Sequence, residues 1–175
     1  MRRLMLSAAC LMALAAPSPG SELIPSVGWM RSVNSEDTRA FAGLALRAPV
    51  IRNVLQSEIG IAYRHEDFGG GDLRVHSWPL TASLWLTPAR MLYAGGGLGW
   101  YNTTYQYREG SPYLGSTSQK IGIHLGGGVR VPVGHGAAVD LGSRYVFLGS
   151  DEHALVPHDF NPDSWNTSVG LAIRF

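Results

Sequence analysis

A formal net charge of +1 over 175 residues gives this chain no electrostatic basis for binding nucleic acid. Charged residues make up only 15 % of it, against about 25 % in an ordinary soluble domain, whereas glycine occurs 22 times. The single cysteine, Cys10, excludes a disulfide within the chain. The composition therefore disfavours a nucleic-acid-binding protein and a small disulfide-stabilised domain.

The first 20 residues have the organisation of a secretory signal peptide. Arg2 and Arg3 precede the apolar run Leu4–Ala16, and Ala-Leu-Ala at positions 13–15 offers small residues for cleavage. The apolar run is too short to cross a membrane as a helix. We therefore expect cleavage near residues 15–20 and a single domain at residues 21–175.

Eight later segments alternate between large apolar residues and small or polar ones. A period of two residues is typical of β-strands, and nothing in this part of the chain predicts a helix. Within the fourth segment, Pro79 cannot donate a backbone hydrogen bond, so we expect a bulge or irregular pairing there. The predicted strands are Leu23–Arg31, Arg39–Ala48, Val54–His65, Leu73–Leu86, Met91–Tyr105, Gln119–Val133, Ala137–Leu148 and Ser164–Phe175.

The connections between these strands alternate in length. Those after the first, third, fifth and seventh strands tend to be longer and polar, whereas those after the second, fourth and sixth are short turns. An even number of antiparallel strands with this alternation is typical of bacterial outer-membrane barrels. We therefore predict an all-β fold, an eight-stranded antiparallel up-and-down transmembrane β-barrel with both ends of the chain in the periplasm.

Charged side chains mark the face that points into the barrel. On the lipid side at mid-bilayer an arginine or lysine costs about 2–4 kcal/mol, whereas acids and bases can pair inside a narrow lumen. The alternative is a soluble lipocalin-like barrel with the apolar face inside, but its outer surface would then carry few lysines and acids. The charges opposite the large aliphatic residues are Arg47, Glu58, Arg64, His124, Arg130, Asp140, Arg144 and Arg174.

The last strand resembles the C-terminal sorting signal of outer-membrane barrels, which the periplasmic assembly machinery recognises. The residues that carry this resemblance are Trp165, Val169, Leu171, Ile173 and Phe175. The resemblance implies the barrel-assembly machinery as a partner during biogenesis.

Two further segments resemble the small outer-membrane β-barrel superfamily that includes the OmpA, OmpX and OmpW-like proteins. The run Met91–Tyr101 resembles its P-Y-x-G-x-G-x-G strand, and Arg144–Phe147 with the Gly-Leu-Ala-Ile-Arg-Phe ending is similar to the OmpW-like close. The resemblance implies a bacterial cell outer-membrane location and contact with outer-membrane lipid and lipopolysaccharide. We expect the protein to be a monomer.

The lumen charges leave two functions open. A closed network of salt bridges would plug the barrel and suit a structural or surface-exposed outer-membrane protein. A narrow, OmpW-like channel for small apolar solutes would use the same polar lumen, so the residues alone do not separate the two.

A lipid A-modifying enzyme is the third and least favoured function. His76 and Ser77 are adjacent in a strand, so their side chains point to opposite faces. His124 is followed two residues later by Gly126 rather than a serine, and nothing fixes His153 relative to Ser150. We predict no catalytic residue and no cofactor.

The last loop is rich in potential metal ligands but lacks the spacing of a metal site. Calcium loops need carboxylates at tight alternating positions with a glycine turn, and neither is present. We predict a solvated loop without a metal. Its polar residues are Asp151, Glu152, His153, His158, Asp159 and Asp163.

Aromatic residues and glycines have structural explanations in this fold. We predict that Gly95, Gly97, Gly122, Gly126 and Gly128 leave room in the lumen for Tyr93 and Tyr101. Aromatic rings at the membrane interfaces anchor such barrels. The predicted anchors are Trp29, Trp78, Trp100, Trp165, Tyr63, Tyr145 and Phe175.

Overall fold

Eight antiparallel strands close into a single barrel in the computed structural model, as the alternating sequence pattern predicts. Each strand pairs with its neighbours in the sequence, and β1 also pairs with β8. The structure describes residues 19–33, 38–68, 73–107, 114–148 and 163–175. The strands are β1 (Glu22–Ser32), β2 (Thr38–Ile51), β3 (Leu55–Phe68), β4 (Leu73–Ala89), β5 (Leu92–Tyr107), β6 (Leu114–Gly134), β7 (Ala137–Phe147) and β8 (Ser164–Arg174).

Within those ranges, no helix is long and apolar enough to span a membrane. Residues 1–18 of the predicted signal peptide lie outside the described residues, and so do Ser150, Asp151, Glu152, His153, His158 and Asp159 of the last loop.

Several strands are longer than the sequence pattern predicts. The predicted end of the fifth strand at Tyr105 and the predicted start of the sixth at Gln119 are wrong, because β5 continues to Tyr107 and β6 already begins at Leu114. The Ser-, Thr- and Gly-rich residues there pair with β5, from Tyr107↔Leu114 to Thr103↔Ser118. Ladder hydrogen bonds with a neighbouring strand stabilise a segment whose own residues carry no strand pattern.

Pro79 interrupts the pairing without a bulge. On the β5 side Pro79 pairs with Tyr101 in an unbroken register. On the β3 side the ladder stops at Ile61↔Leu80 and resumes at Arg64↔Ser77 in the same register. The irregular pairing predicted at Pro79 is thus present on one side only. The register shifts lie instead at the ends of β2, β4 and β6, where the chain turns.

The three short turns lie at one end of the barrel together with Ser21 and Phe175, and we call this the turn end; the opposite end is the loop end. Gly136 adopts a φ of 79° in the β6–β7 turn. Its carbonyl accepts a hydrogen bond from the Arg174 N–H at 2.7 Å, and the Phe175 N–H donates to the Ser21 carbonyl at 3.1 Å. These bonds close the barrel at the turn end.

Large apolar side chains cover the outside of the barrel, the reverse of a water-soluble protein. Ile121 is 76 % exposed, and Val27 and Trp29 face outward as the alternation in β1 predicts. Inside the described part of the barrel, Ile24 packs with Ala138 and Ala172 in a small apolar cluster. Among the side chains that the structure describes, Arg31 departs from this pattern, because it is exposed on the outer face and pairs with Trp165 near the loop end.

Outward aromatic side chains gather at one level of the barrel. Each of three aromatic residues is eight residues along its own strand from a leucine near the turn end. These pairs of positions are Tyr63 and Leu55 on β3, Trp78 and Leu86 on β4, and Trp100 and Leu92 on β5. The Tyr63 and Trp78 rings are 4.4 Å apart, centroid to centroid. Around the barrel, Tyr145 contacts Trp165 and Phe147 edge-on. We call this set, together with Trp29, the aromatic girdle; Phe175 lies at the turn end.

Candidate functional site

A salt-bridge network fills the middle of the lumen, and Glu58 is at its centre. Arg47 and Glu58 are direct cross-strand partners on β2 and β3. The Arg47 Nε and Nη2 donate to Glu58 Oε2 at 2.7 and 2.6 Å. The Arg144 Nη2, which comes from β7, donates to Glu58 Oε1 at 2.5 Å. One carboxylate therefore joins two guanidinium groups from strands that are not neighbours in the barrel.

Asp140 extends the network across the lumen. The Arg47 Nη1 donates to Asp140 Oδ2 at 2.9 Å, and the Tyr93 hydroxyl donates to Asp140 Oδ1 at 2.6 Å. The Arg130 Nη2 lies 3.5 Å from the same Oδ2. The Arg47 guanidinium carbon also lies 4.5 Å from the centre of the Tyr93 ring. Charge pairing, hydrogen bonding and a cation–π contact thus fix Arg47 at once.

A second carboxylate, Glu22, closes the network toward the turn end. Its Oε2 accepts from the Arg130 Nη1 at 2.8 Å, and its Oε1 accepts from the Arg174 Nη2 at 3.0 Å. A cavity of about 700 Å³ lies here, lined by Glu22, Arg130, Arg174 and the residues of the short turns. Glu22 was missed in the sequence because it lies one residue before the predicted start of β1.

An aromatic and imidazole layer packs beside the ions. Arg144 lies over the Trp85 ring, 5.0 Å from its centre, and Trp85 contacts Tyr93 edge-on at 5.3 Å. Trp85 is fully buried, and its place on the polar face of β4, opposite Leu84 and Leu86, was the signal that could have identified it.

His124 pairs with a serine that the sequence did not suggest. Its Nε2 lies 2.9 Å from the Ser83 Oγ, although the two residues belong to β4 and β6. Gly97 stands between them in the register and carries no side chain, so the hydroxyl and the ring can meet across β5. Both side chains are buried, which leaves a substrate no access to this pair. His76 and Ser77 point to opposite faces, as predicted from their adjacency.

Arg64 stands apart from the ions described above. Its Nη1 lies 2.9 Å from the Met30 Sδ, toward the loop end of the lumen. The structure therefore brings Arg47, Glu58, Arg130, Asp140, Arg144 and Arg174 into one network through Glu22. It leaves Arg64 at a different level and gives His124 a separate partner.

The predicted role of the lumen glycines holds for two of the five. A Cβ at Gly128 would collide with the Leu141 carbonyl oxygen and with the Tyr93 ring and hydroxyl, and one at Gly122 would collide with the Phe147 carbonyl oxygen and crowd the Tyr101 ring. At Gly95, Gly97 and Gly126 the nearest atoms are backbone carbonyl oxygens of the neighbouring strand, with no tyrosine among them. Close backbone approach therefore applies to all five glycines, and space for a tyrosine to Gly122 and Gly128.

We expect Gly128→Ala to destabilise the folded barrel by about 1–3 kcal/mol, the usual cost of overpacking. The added methyl group would collide with the Leu141 carbonyl oxygen and push Tyr93 away from Asp140, to which its hydroxyl donates. Gly134→Ala is the matched control, because no atom lies within 4 Å of the added Cβ. Urea unfolding in lipid vesicles measures both; equal midpoints for the two variants would contradict the packing described here.

Among known proteins, similarity is found in structure rather than in sequence. No protein-family model and no curated protein matches the chain. The attachment invasion locus protein Ail of Yersinia pestis superposes with a TM-score of 0.63 at 12 % identity, over 91 % of this chain and 100 % of Ail. Neisserial surface protein A gives a TM-score of 0.59 at 15 % identity, over 90 % of this chain and 98 % of its own.

The N-terminal β-barrel domain of Pseudomonas aeruginosa OprF is similar to the same extent. Its TM-score is 0.56 at 12 % identity, over 91 % of this chain and 100 % of that domain. At these identities the likeness concerns the fold alone. This chain has the fold of the small eight-stranded outer-membrane β-barrels.

Proposed function

We propose that this protein is a bacterial outer-membrane β-barrel with a plugged lumen and a structural or surface-exposed role. The observation that carries the proposal is that the apolar side chains face outward and the charged side chains face inward, the reverse of a water-soluble barrel. Large aliphatic side chains are exposed around the barrel, whereas Arg47 and Glu58 in its interior are each only 2 % exposed. In water this arrangement would expose a continuous apolar surface, which lipid would cover.

The distance between the aromatic girdle and the turn end matches a membrane of ordinary thickness around the barrel. Eight residues of strand span about 26 Å, which is about 20 Å along the axis at a typical tilt. This height approaches the apolar band of about 25 Å in outer-membrane barrels. The turn end would then face the periplasm and the girdle would lie at the outer leaflet, where lipopolysaccharide is the neighbouring lipid.

The proposed assembly route uses the final strand. Trp165, Val169, Leu171, Ile173 and Phe175 all lie on the exposed outer face of the barrel, where a recognition surface would have to be. We propose that the barrel-assembly machinery binds this face during insertion and that the inserted protein acts as a monomer.

The buried network supports a closed lumen. Glu58 and Asp140 both pair with Arg47, and the Trp85 and Tyr93 rings pack against each other and against Arg144 and Arg47. We infer that a solute entering from the turn end would have to displace buried ion pairs. This favours the structural role over the channel.

Planar-bilayer conductance tests the plug directly. We expect the refolded protein to show no unitary conductance steps, while its heat-modifiable gel mobility demonstrates that the barrel is folded. Reproducible steps whose size changes in Arg130→Gln or Arg144→Gln would contradict the plug. They would favour the alternative of a narrow channel for small solutes.

A further inference from the structure

Each of the three short turns carries an exposed basic side chain at the turn end, outside the lumen network. These side chains are Arg52 between β2 and β3, Arg90 between β4 and β5, and His135 between β6 and β7. Arg174 at the end of β8 adds a fourth, and its side chain is 60 % exposed. The basic groups therefore come from four places around the rim of the barrel.

Negative charge is scarce at the same end. Among the side chains that the structure describes there, Glu22 is the only carboxylate, and it is 4 % exposed. Glu22 already accepts hydrogen bonds from Arg130 and Arg174. Within the described chain, no side-chain carboxylate pairs with Arg52 or Arg90, so these two turns present net positive charge at the surface.

Exposed aliphatic side chains accompany these basic residues. Ile51 precedes Arg52 and Met91 follows Arg90, and both apolar side chains are about half exposed. Water would solvate the guanidinium groups but not the aliphatic side chains. The boundary of a membrane suits both, because the apolar group enters the acyl region while the guanidinium reaches the lipid phosphates. Further exposed aliphatic residues of the turns are Val50, Val54 and Val133.

The kind of lipid follows from the charge. An arginine binds phosphate oxygens through paired N–H donors. A zwitterionic lipid offers the same phosphate together with a cationic group, which the arginines would repel, whereas an anionic lipid offers the phosphate without it. We propose that the turn end binds anionic phospholipids of the inner leaflet, with Arg52 and Arg90 on the lipid phosphates. This inference rests on the proposed function, because it needs a bilayer around the barrel and the turn end in the periplasm.

Lipid retention by the folded protein, measured by native mass spectrometry after release from micelles with equimolar phosphatidylglycerol and phosphatidylcholine, tests the site. We expect phosphatidylglycerol to be preferred by about fivefold or more, because one arginine near an anionic membrane surface contributes about that much. Arg52→Gln/Arg90→Gln should lose most of the preference. Arg52→Lys/Arg90→Lys is the matched control and should keep it, since lysine retains the charge.

Three results would overturn the lipid site. They are equal retention of the two lipids by the wild type, an unchanged preference in Arg52→Gln/Arg90→Gln, and an equal loss of preference in Arg31→Gln. Arg31 is exposed near the loop end, so its involvement would mean that the lipid is not held at the turn end.

Folding into neutral phosphatidylcholine vesicles separates this result from a failure of the proposed function. A barrel with heat-modifiable mobility there but no lipid preference would keep its membrane role and lose only the lipid site. The substituted side chains are exposed on turns, so we expect all variants to fold.

Discussion

Leu171→Arg is expected to impair assembly of the barrel severely. Leu171 lies on the outer face of β8, is 42 % exposed, and pairs with the outward Val139. It stands between the girdle residue Trp165 and Phe175 at the turn end, so an arginine there would face the apolar core of the bilayer. The cost is about 2–4 kcal/mol, a large part of the roughly 5–15 kcal/mol that stabilises a folded protein. The measurement is the heat-modifiable fraction recovered in outer membranes.

Ser168→Thr is the control on the same strand. Ser168 faces the lumen and is only partly buried, so one added methyl group should have a mild effect on folding. A chain in which Leu171→Arg assembles as well as Ser168→Thr would contradict the proposed membrane environment. It would instead favour a barrel whose exposed apolar face is covered by something other than lipid.

The strand count and the facing of the strands could be predicted from the sequence, because both depend on a local period of two. Once one residue of β8 is assigned to a face, the alternation assigns every other residue of that strand to the same or the opposite face. Strand ends could not be predicted in the same way. Residues 114–118 are strand only because β5 is beside them, and the partner of a segment is not a local property.

The lumen charges could be identified one by one but not as a network. Glu22, Arg47, Glu58, Ser83, Gly97 and His124 are successive register partners from β1 to β6. Sequence alone does not give the register, so neither the Glu22 bridge nor the Ser83–His124 pair was predictable.

Glu58→Gln is expected to be the most destabilising change in the lumen. The substitution keeps the shape of the side chain but removes the charge that Arg47 and Arg144 share. Removing one member of a buried ion pair costs about 3–5 kcal/mol, since the remaining charge stays desolvated. Urea unfolding in phospholipid vesicles, followed by tryptophan fluorescence, measures the loss.

In the same experiment, Arg174→Gln shows how much stability is lost when an exposed rather than a buried ion pair is removed. Arg174 also pairs with a lumen carboxylate, Glu22, at 3.0 Å, but its side chain is 60 % exposed at the turn end. Solvent-exposed pairs contribute about 1 kcal/mol or less, so this variant should unfold close to the wild type. If Glu58→Gln and Arg174→Gln lost the same stability, water would have to reach Glu58 as readily as Arg174. The lumen would then be hydrated at the level of Arg47, and the closed plug would have to be abandoned.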